Sequence, residues 1–214
     1  MKLYLDKAKL MQQSLAEKVI MEDIFPYPPK FVGGLDISYR RNYACAACII
    51  MDYPSLRLVR KKIYHDIVEV PYIPTFLALR ELPFYITLCY EFKGRRDIVF
   101  LVDGHGLSHP RMLGIASHLG VVLDVPTIGV AKKKLTGISK IVNGVEYIIV
   151  NNIVVCAKIQ HNTWRKPLYI SIGHGVSLET AIKIVEETMR TGYLPEPIRL
   201  ADKITREYLK KMIM

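Results

Sequence analysis

IVFLVDGHGLSHPRMLGIASHLG, residues Ile98 to Gly120, is the stretch whose reading decides the fold. Ile98 to Val102 is an unbroken apolar run, short enough for a strand buried on both faces. It ends on a carboxylate, Asp103, and Gly104, His105 and Gly106 follow at once. Glycines flanking a histidine allow a sharp turn or the close approach of another group. Pro110 suits a first helical turn, and Met112, Ile115, Ala116 and Leu119 follow at helical spacing. An acid at the carboxyl end of a buried strand, on a Gly-rich turn into a helix, stands where open α/β sheets place ligand chemistry. Taken alone, Asp103 is equally an ordinary turn residue, so its neighbours must decide.

Upstream, FVGGLDISYRRNYACAACIIMDYPSLRLVRKKIYHD reads as three strands, Phe31 to Tyr39, Ala44 to Asp52 and Leu56 to Tyr64. The connections Arg40-Arg41-Asn42 and Tyr53-Pro54-Ser55 are too short for a crossover, so the three form an antiparallel meander. Leu35 and Ile37 point to one face, Asp36 and Ser38 to the other. A carboxylate in a central strand is costly unless it is paired, hydrogen-bonded or bound to a cation, and on an exposed face it is ordinary. Cys45 and Cys48 form a C-x-x-C on the second strand, where residues three apart face opposite ways and cannot clamp one metal. With Cys89 and Cys156, they read as buried structural thiols.

Next comes VEVPYIPTFLALRELPFYITLCYEF. Pro71 and Pro74 bracket a stiff, extended Tyr72-Ile73, a helix is expected from about Thr75, and Pro83 should kink or restart it. Glu81 falls at the end of the first segment, where a surface charge is the plain reading. Beyond the central stretch, Thr127 to Val130 is a short buried strand and Lys132, Lys133 and Lys134 leave it in a row. Val145 to Asn151 and Ile153 to Ile159 pair across Asn151-Asn152. Leu168 to Ile172 is a further strand, and Ser177 caps a helix running to Met189. A short polar helix carrying Asp202 closes the chain, and an amphipathic helix from Leu3 to Met21, stopped by Pro26, Pro28 and Pro29, opens it.

Composition is compatible with one domain over residues 1–214, with 1–30 as a helical and Pro-rich lead-in and 195–214 as a helical extension. There is no signal peptide and no apolar stretch of membrane-spanning length, so a cytoplasmic protein is expected, with no membrane partner. The net charge of +10 makes a polyanion a natural partner. No protein partner is inferable. The order of elements is three antiparallel strands, helix, strand, helix, strand, then additions. That is the order of an RNase H-like α/β core, a mixed sheet with helices on both faces, in which the first and fourth strands run parallel side by side. Asp36 and Asp103 would then be neighbours.

GGLDISY, PYIPTFLALRE, VDGHGLSHPRMLGIASHLGV, PTIGVAKKKL, GHGVSLETA and LPEPIRLAD, in that order and at these separations, resemble the endonuclease V family from Val32 to Lys203. The resemblance implies an RNase H-like, Mg²⁺-dependent endonuclease that cuts the second phosphodiester bond 3′ to inosine in DNA, some relatives acting on RNA as well. By match of position, Asp36 and Asp103 are the central metal-binding carboxylates, Glu81 a third catalytic acid, and Asp202 lies by a second metal site. Lys132 matches a lysine near the scissile phosphate and His109 a histidine in the same neighbourhood. Tyr72 matches a wedge inserted into the duplex. Leu77, Gly104 and Ile115 match the lining of a base pocket, and Pro74, Thr75, Arg80 and His105 complete the expected substrate-binding set. Thr75 departs from the family, whose wedge usually carries glycine there. Following Pro74 at the expected helix start, its hydroxyl is expected to cap the helix, whereas a position with φ > 0 would strain it.

The residues make the same case without the name. Carboxylates gathered on one point repel phosphate unless a divalent cation lies between them, and an all-oxygen donor set suits Mg²⁺, with Mn²⁺ as a substitute, rather than zinc. Another RNase H-like nuclease, acting on RNA/DNA hybrids or on junctions, would share the carboxylates but has no need of a PYIP wedge. A non-catalytic binding module would have no use for acids that oppose binding.

Overall fold

The computed structural model describes residues 2–160, 166–190 and 192–212. Helix α1 (Lys2–Ala16) ends earlier than its amphipathic pattern suggests. Beyond it the chain is drawn to the end of a distant strand, where the Ile20 N–H donates to His174 Nδ1 and the Gly175 N–H to the Ile20 carbonyl. The meander is β1 (Phe31–Arg40), β2 (Tyr43–Asp52) and β3 (Leu58–Ile67). β3 starts later than expected because Leu56 belongs to the turn, with φ 57 and its N–H on the Asp52 carbonyl. Helix α2 (Ala78–Cys89), β4 (Ile98–Asp103), α3 (Ile115–Leu123) and β5 (Thr127–Ala131) follow. Then come β6 (Ile138–Val142), β7 (Val145–Val150), β8 (Ile153–Ile159), β9 (Leu168–His174), α4 (Leu178–Glu187) and α5 (Glu196–Lys211).

The strands form one nine-stranded sheet in the order β3-β2-β1-β4-β5-β9-β8-β7-β6. β1 pairs with β4 in parallel, β4 with β5 in parallel, and all other neighbours are antiparallel. This is the RNase H-like core order, widened by an antiparallel wing. The unbroken apolar run of β4 follows from its place: strands lie on both sides of it and helices over both faces. The β1–β4 register runs from Phe31 opposite Ile98 to Leu35 opposite Val102, so the next residues along, Asp36 and Asp103, stand side by side where the two strands cease to pair, Asp36 still paired with Ala47 and Asp103 with Val130.

One face buries Leu35, Cys48, Ile50, Phe100 and Val102 under α2 and α3. The other buries Val32, Ile49, Val99, Leu101, Ile128 and Val130 under α4 and α5. Cys48 thus lies on the first face and Cys45, two residues from Ala47, on the second, and all four thiols are unpaired and buried. The closing helix is neither short nor wholly polar. It has sixteen residues, and Ile198, Ala201, Thr205 and Leu209 form a buried stripe. A β-carbon on Gly34 would come within 2.2 Å of the Pro197 backbone, so glycine there lets α5 lie directly on β1.

Two local expectations fail for physical reasons, and one strand carries no sequence signal. Pro110 does not start a helix; residues 110–114 turn, and α3 begins after Gly114. Pro83 does not break α2, since it is exposed and the helix continues through it, losing one backbone donor. β6 was not foreseen, because its five residues are all exposed and carry no burial pattern. Ser177 caps α4 as expected, accepting from the Thr180 N–H at 3.2 Å. No helix among the described residues is long and apolar enough to cross a membrane.

Candidate active site

The carboxyl end of the central strands gathers the acids. Asp36 ends the buried part of β1 and is only 5% exposed. Thr205 of α5 is positioned to donate its hydroxyl to Asp36 Oδ2 at 3.2 Å. Burial, the charge of Asp103 and a hydrogen bond to it push the Asp36 carboxyl up to about 8. Asp103 receives the Lys132 ammonium at 2.5 Å. Burial disfavours that ammonium, but the Asp103 and Asp36 carboxylates outweigh it and hold it above the usual lysine range.

Glu81 comes from the first turn of α2 rather than from the end of a broken helix, and is also 5% exposed. Burial raises its carboxyl to about 7, against the lowering effect of the Tyr39 hydroxyl, which donates to Oε1 at 2.8 Å. Asp202 on α5 is ion-paired with Arg206 at 2.7 Å, and its charge bears on Asp36. Asp36, Glu81, Asp103, Lys132 and Asp202 are therefore brought together although they span most of the chain.

The arrangement suits a hard cation without being a finished cage. Among the described residues no three His, Cys, Asp or Glu side chains already form a metal-binding group, since Asp103 is turned onto Lys132 and Asp202 onto Arg206. What fits is the chemistry: oxygen donors only, two of them on buried carboxyls that resist ionisation until positive charge is near. Asp36 and Asp103, with Glu81 and Asp202 beside them, are the residues that would hold a divalent ion.

Next to the acids lies a cavity of about 310 Å³, within the range of small-ligand sites. It is lined by Tyr72, Thr75, Leu77 and Ala78, by Gly104, His105 and His109, by Leu113, Gly114 and Ile115, and by Lys133, Lys134 and Leu135. A β-carbon on Gly104 would meet Ile115 Cγ2 at 2.5 Å, so glycine keeps this wall open beside Asp103. Tyr72 stands 66% exposed at the mouth, as a group free to enter another molecule would. Pro74 and Arg80 are not among the lining residues; Arg80 lies over the Tyr39 ring at 4.2 Å and donates to the Val70 carbonyl.

One expectation is corrected here, and the setting of a second residue becomes visible. Thr75 caps nothing: α2 begins at Ala78 with no side-chain cap, and Thr75 has φ 67, a strained conformation for a β-branched residue costing about 1–3 kcal/mol. His109 lies in the wall of the cavity, its hydrogen bonds made to the backbone of Thr75 and Arg111. Its Nδ1 accepts from the Arg111 N–H at 3.2 Å, which leaves Nε2–H to donate to the Thr75 carbonyl at 3.0 Å. Burial lowers its imidazolium to about 4, so at neutral pH it is an uncharged structural donor in the cavity wall.

Sequence reasoning missed Tyr39, Thr205, Arg111 and Gln12, which orient the site residues; the only signal was that Thr205 follows Asp202 by three on one helix. Several surface cations are already ion-paired. Arg60 and Lys62 pair with Glu91, Arg95 with Asp97, and Arg96 with Asp124.

Comparison with known proteins places the whole chain. The family model described as Endonuclease V matches residues 13–203. Endonuclease V of Ignicoccus hospitalis is 43% identical over 208 residues, 96% of this chain and 96% of that one. The crystal structure of the catalytic domain of human endonuclease V superposes with a TM-score of 0.88 at 30% identity, over 100% of this chain and 98% of the other. Ciona intestinalis endonuclease V, in complex with a 23mer DNA containing an inosine followed by a ribo-adenosine, gives 0.87 at 31% identity over 99% of both. Fold, family model and relatives agree, and the chain belongs to the endonuclease V family.

Proposed function

We propose that this chain is a divalent-metal-dependent endonuclease that takes a deaminated base, inosine, into the cavity behind Tyr72 and hydrolyses the second phosphodiester bond on its 3′ side. The observation that carries the reading is the joining of a buried acid cluster, Asp36, Asp103 and Glu81 with Lys132, to a base-sized cavity that shares the Asp103–Gly104 turn. DNA containing inosine is the substrate class, as the crystallised Ciona relative supports.

Each group has a task. Tyr72, on a loop stiffened by Pro71 and Pro74, fills the gap left by an extruded base, and the cavity accepts the base. Asp36, Asp103, Glu81 and Asp202 hold Mg²⁺, with Mn²⁺ as a substitute. A divalent ion held there would supply charge neutralisation toward phosphate and Lewis-acid activation of water and leaving oxygen. Lys132 counters charge building on the phosphate. Pro74, Arg80 and the pocket residues Thr75, Leu77, Gly104, His105 and Ile115 shape the substrate side. A reducing, cytoplasmic setting belongs to the same reading, supported by four unpaired, buried cysteines.

The test is a panel of matched oligonucleotides carrying one inosine, as single- and double-stranded DNA and RNA, with Mg²⁺ and with chelator. Cleavage one nucleotide beyond the lesion's own 3′ phosphodiester, only with the ion, is expected. Equal cutting of inosine-free strands would overturn the reading.

A further inference from the structure

The strained Thr75 is held by an unusual convergence of donors. Its carbonyl accepts from Arg111 Nη2 at 2.7 Å, His109 Nε2 at 3.0 Å and Gln12 Nε2 at 3.3 Å. Its hydroxyl accepts from the same Arg111 nitrogen at 2.8 Å. Arg111 is itself fixed, with Nε donating to Gln12 Oε1 at 2.6 Å and the guanidinium 4.4 Å from the Phe76 ring centroid. Gln12, on α1, is 3% exposed.

A residue at φ 67 with a β-branched side chain does not hold that conformation by local preference, so distant groups must impose it. Those groups come from two places far along the chain, the helix at the N-terminus and the turn after Asp103. The segment they seize lies three residues beyond Tyr72 and lines the cavity.

We infer that Gln12 and Arg111 are positioning residues that clamp Thr75 and thereby set both the mouth of the base cavity and the stance of Tyr72. Helix α1 is then part of the recognition apparatus, tied in through Gln12, and not a mere lead-in. Arginine suits the task because its planar fork reaches Thr75 and Gln12 at once, which a lysine cannot do. The threonine hydroxyl adds a bond that a glycine would lack, so the clamp and the strain belong together. The effect on inosine rests on the reading of the cavity given above, while the clamp itself does not.

The test compares Arg111→Lys, Gln12→Ala, Thr75→Gly and the double variant Arg111→Lys/Thr75→Gly in the full chain. Losing a charge-assisted bond predicts roughly tenfold weaker binding of inosine-containing DNA for Arg111→Lys, with plain DNA of the same length bound as before and KM affected more than kcat. Glycine takes positive φ without strain, so the same substitution in the Thr75→Gly background should cost about twofold or less. Amide exchange at residues 73–76 should quicken in Arg111→Lys and in Gln12→Ala. Equal loss of plain and lesion binding, or an undiminished penalty in the Thr75→Gly background, overturns the inference. If the parent protein shows no preference for inosine, the functional reading fails by itself. The clamp then stands on faster exchange and falls on unchanged exchange. Should Arg111→Lys not fold, Gln12→Ala, which leaves the guanidinium in place, carries the same comparison.

Discussion

The acid cluster and the base cavity share the Asp103–Gly104 turn yet are built in opposite ways. The acids stand on regular elements: Asp36 within β1 and Asp103 at the end of its parallel neighbour β4, Glu81 and Asp202 on helices packed over the two faces. The cavity is made mostly of loops, including a residue at positive φ and a tyrosine that is 66% exposed. The difference teaches where each kind of precision comes from. Ligands for an ion must be fixed relative to one another, and strand register does that. A wall that receives a flipped base must approach another molecule, and a loop can do so only if side chains from elsewhere brace it.

The largest expected effect falls on the rigid half. Asp36→Ala or Asp103→Ala should abolish nicking while leaving most DNA binding, because each removes an ion ligand and no phosphate contact. Chelation should mimic them. Substantial Mg²⁺-dependent cleavage by either variant would break the division between the two regions.

The loop half should respond in affinity. Base–aromatic stacking is worth about 1–3 kcal/mol, so Tyr72→Ala should weaken binding to an inosine-containing duplex roughly five- to hundred-fold. A single strand leaves no gap to fill and should lose less. Equal losses for both would remove Tyr72 from the wedge role.

A smaller effect sharpens the comparison through pH. The Asp36 carboxyl is raised to about 8 in the folded chain, above its value in the unfolded one, and Glu81 to about 7. Their contribution is complete below the unfolded values near 4 and is lost as pH rises through the folded ones. With chelator present, stability should therefore decline between about pH 4 and pH 8. Asp36→Asn should raise Tm at pH 8 by about 2–4 °C, equivalent to ~1 kcal/mol. Thermal melts that show no such gain would mean that the acid cluster is relieved by its lysine and threonine alone.

The smallest change expected is in a ratio. Raising salt should weaken lesion and plain duplex binding steeply and together, since counterion release is blind to sequence. Their ratio should move little, because the cavity and not the +10 charge supplies discrimination. A ratio that collapsed with salt would assign specificity to charge.

Sequence by itself determined the sheet's first half and the acids upon it. A buried strand repeats every two residues and a central one is apolar throughout, so Ile98 to Val102 and the meander could be read without a neighbour. The parallel placing of β1 beside β4 followed from their order, and with it the nearness of Asp36 to Asp103. The conformation of Thr75, the setting of His109 and the reach of Gln12 from α1 were not legible. A threonine after proline looks like a cap because the local chain prefers it, and only Gln12 and Arg111, 63 and 36 residues away, turn it into a left-handed anchor. His109 likewise carries no local sign that its ring will brace a carbonyl. Conformations set by short-range preference are written in the sequence, whereas those imposed against that preference by distant side chains exist only once the tertiary structure has formed.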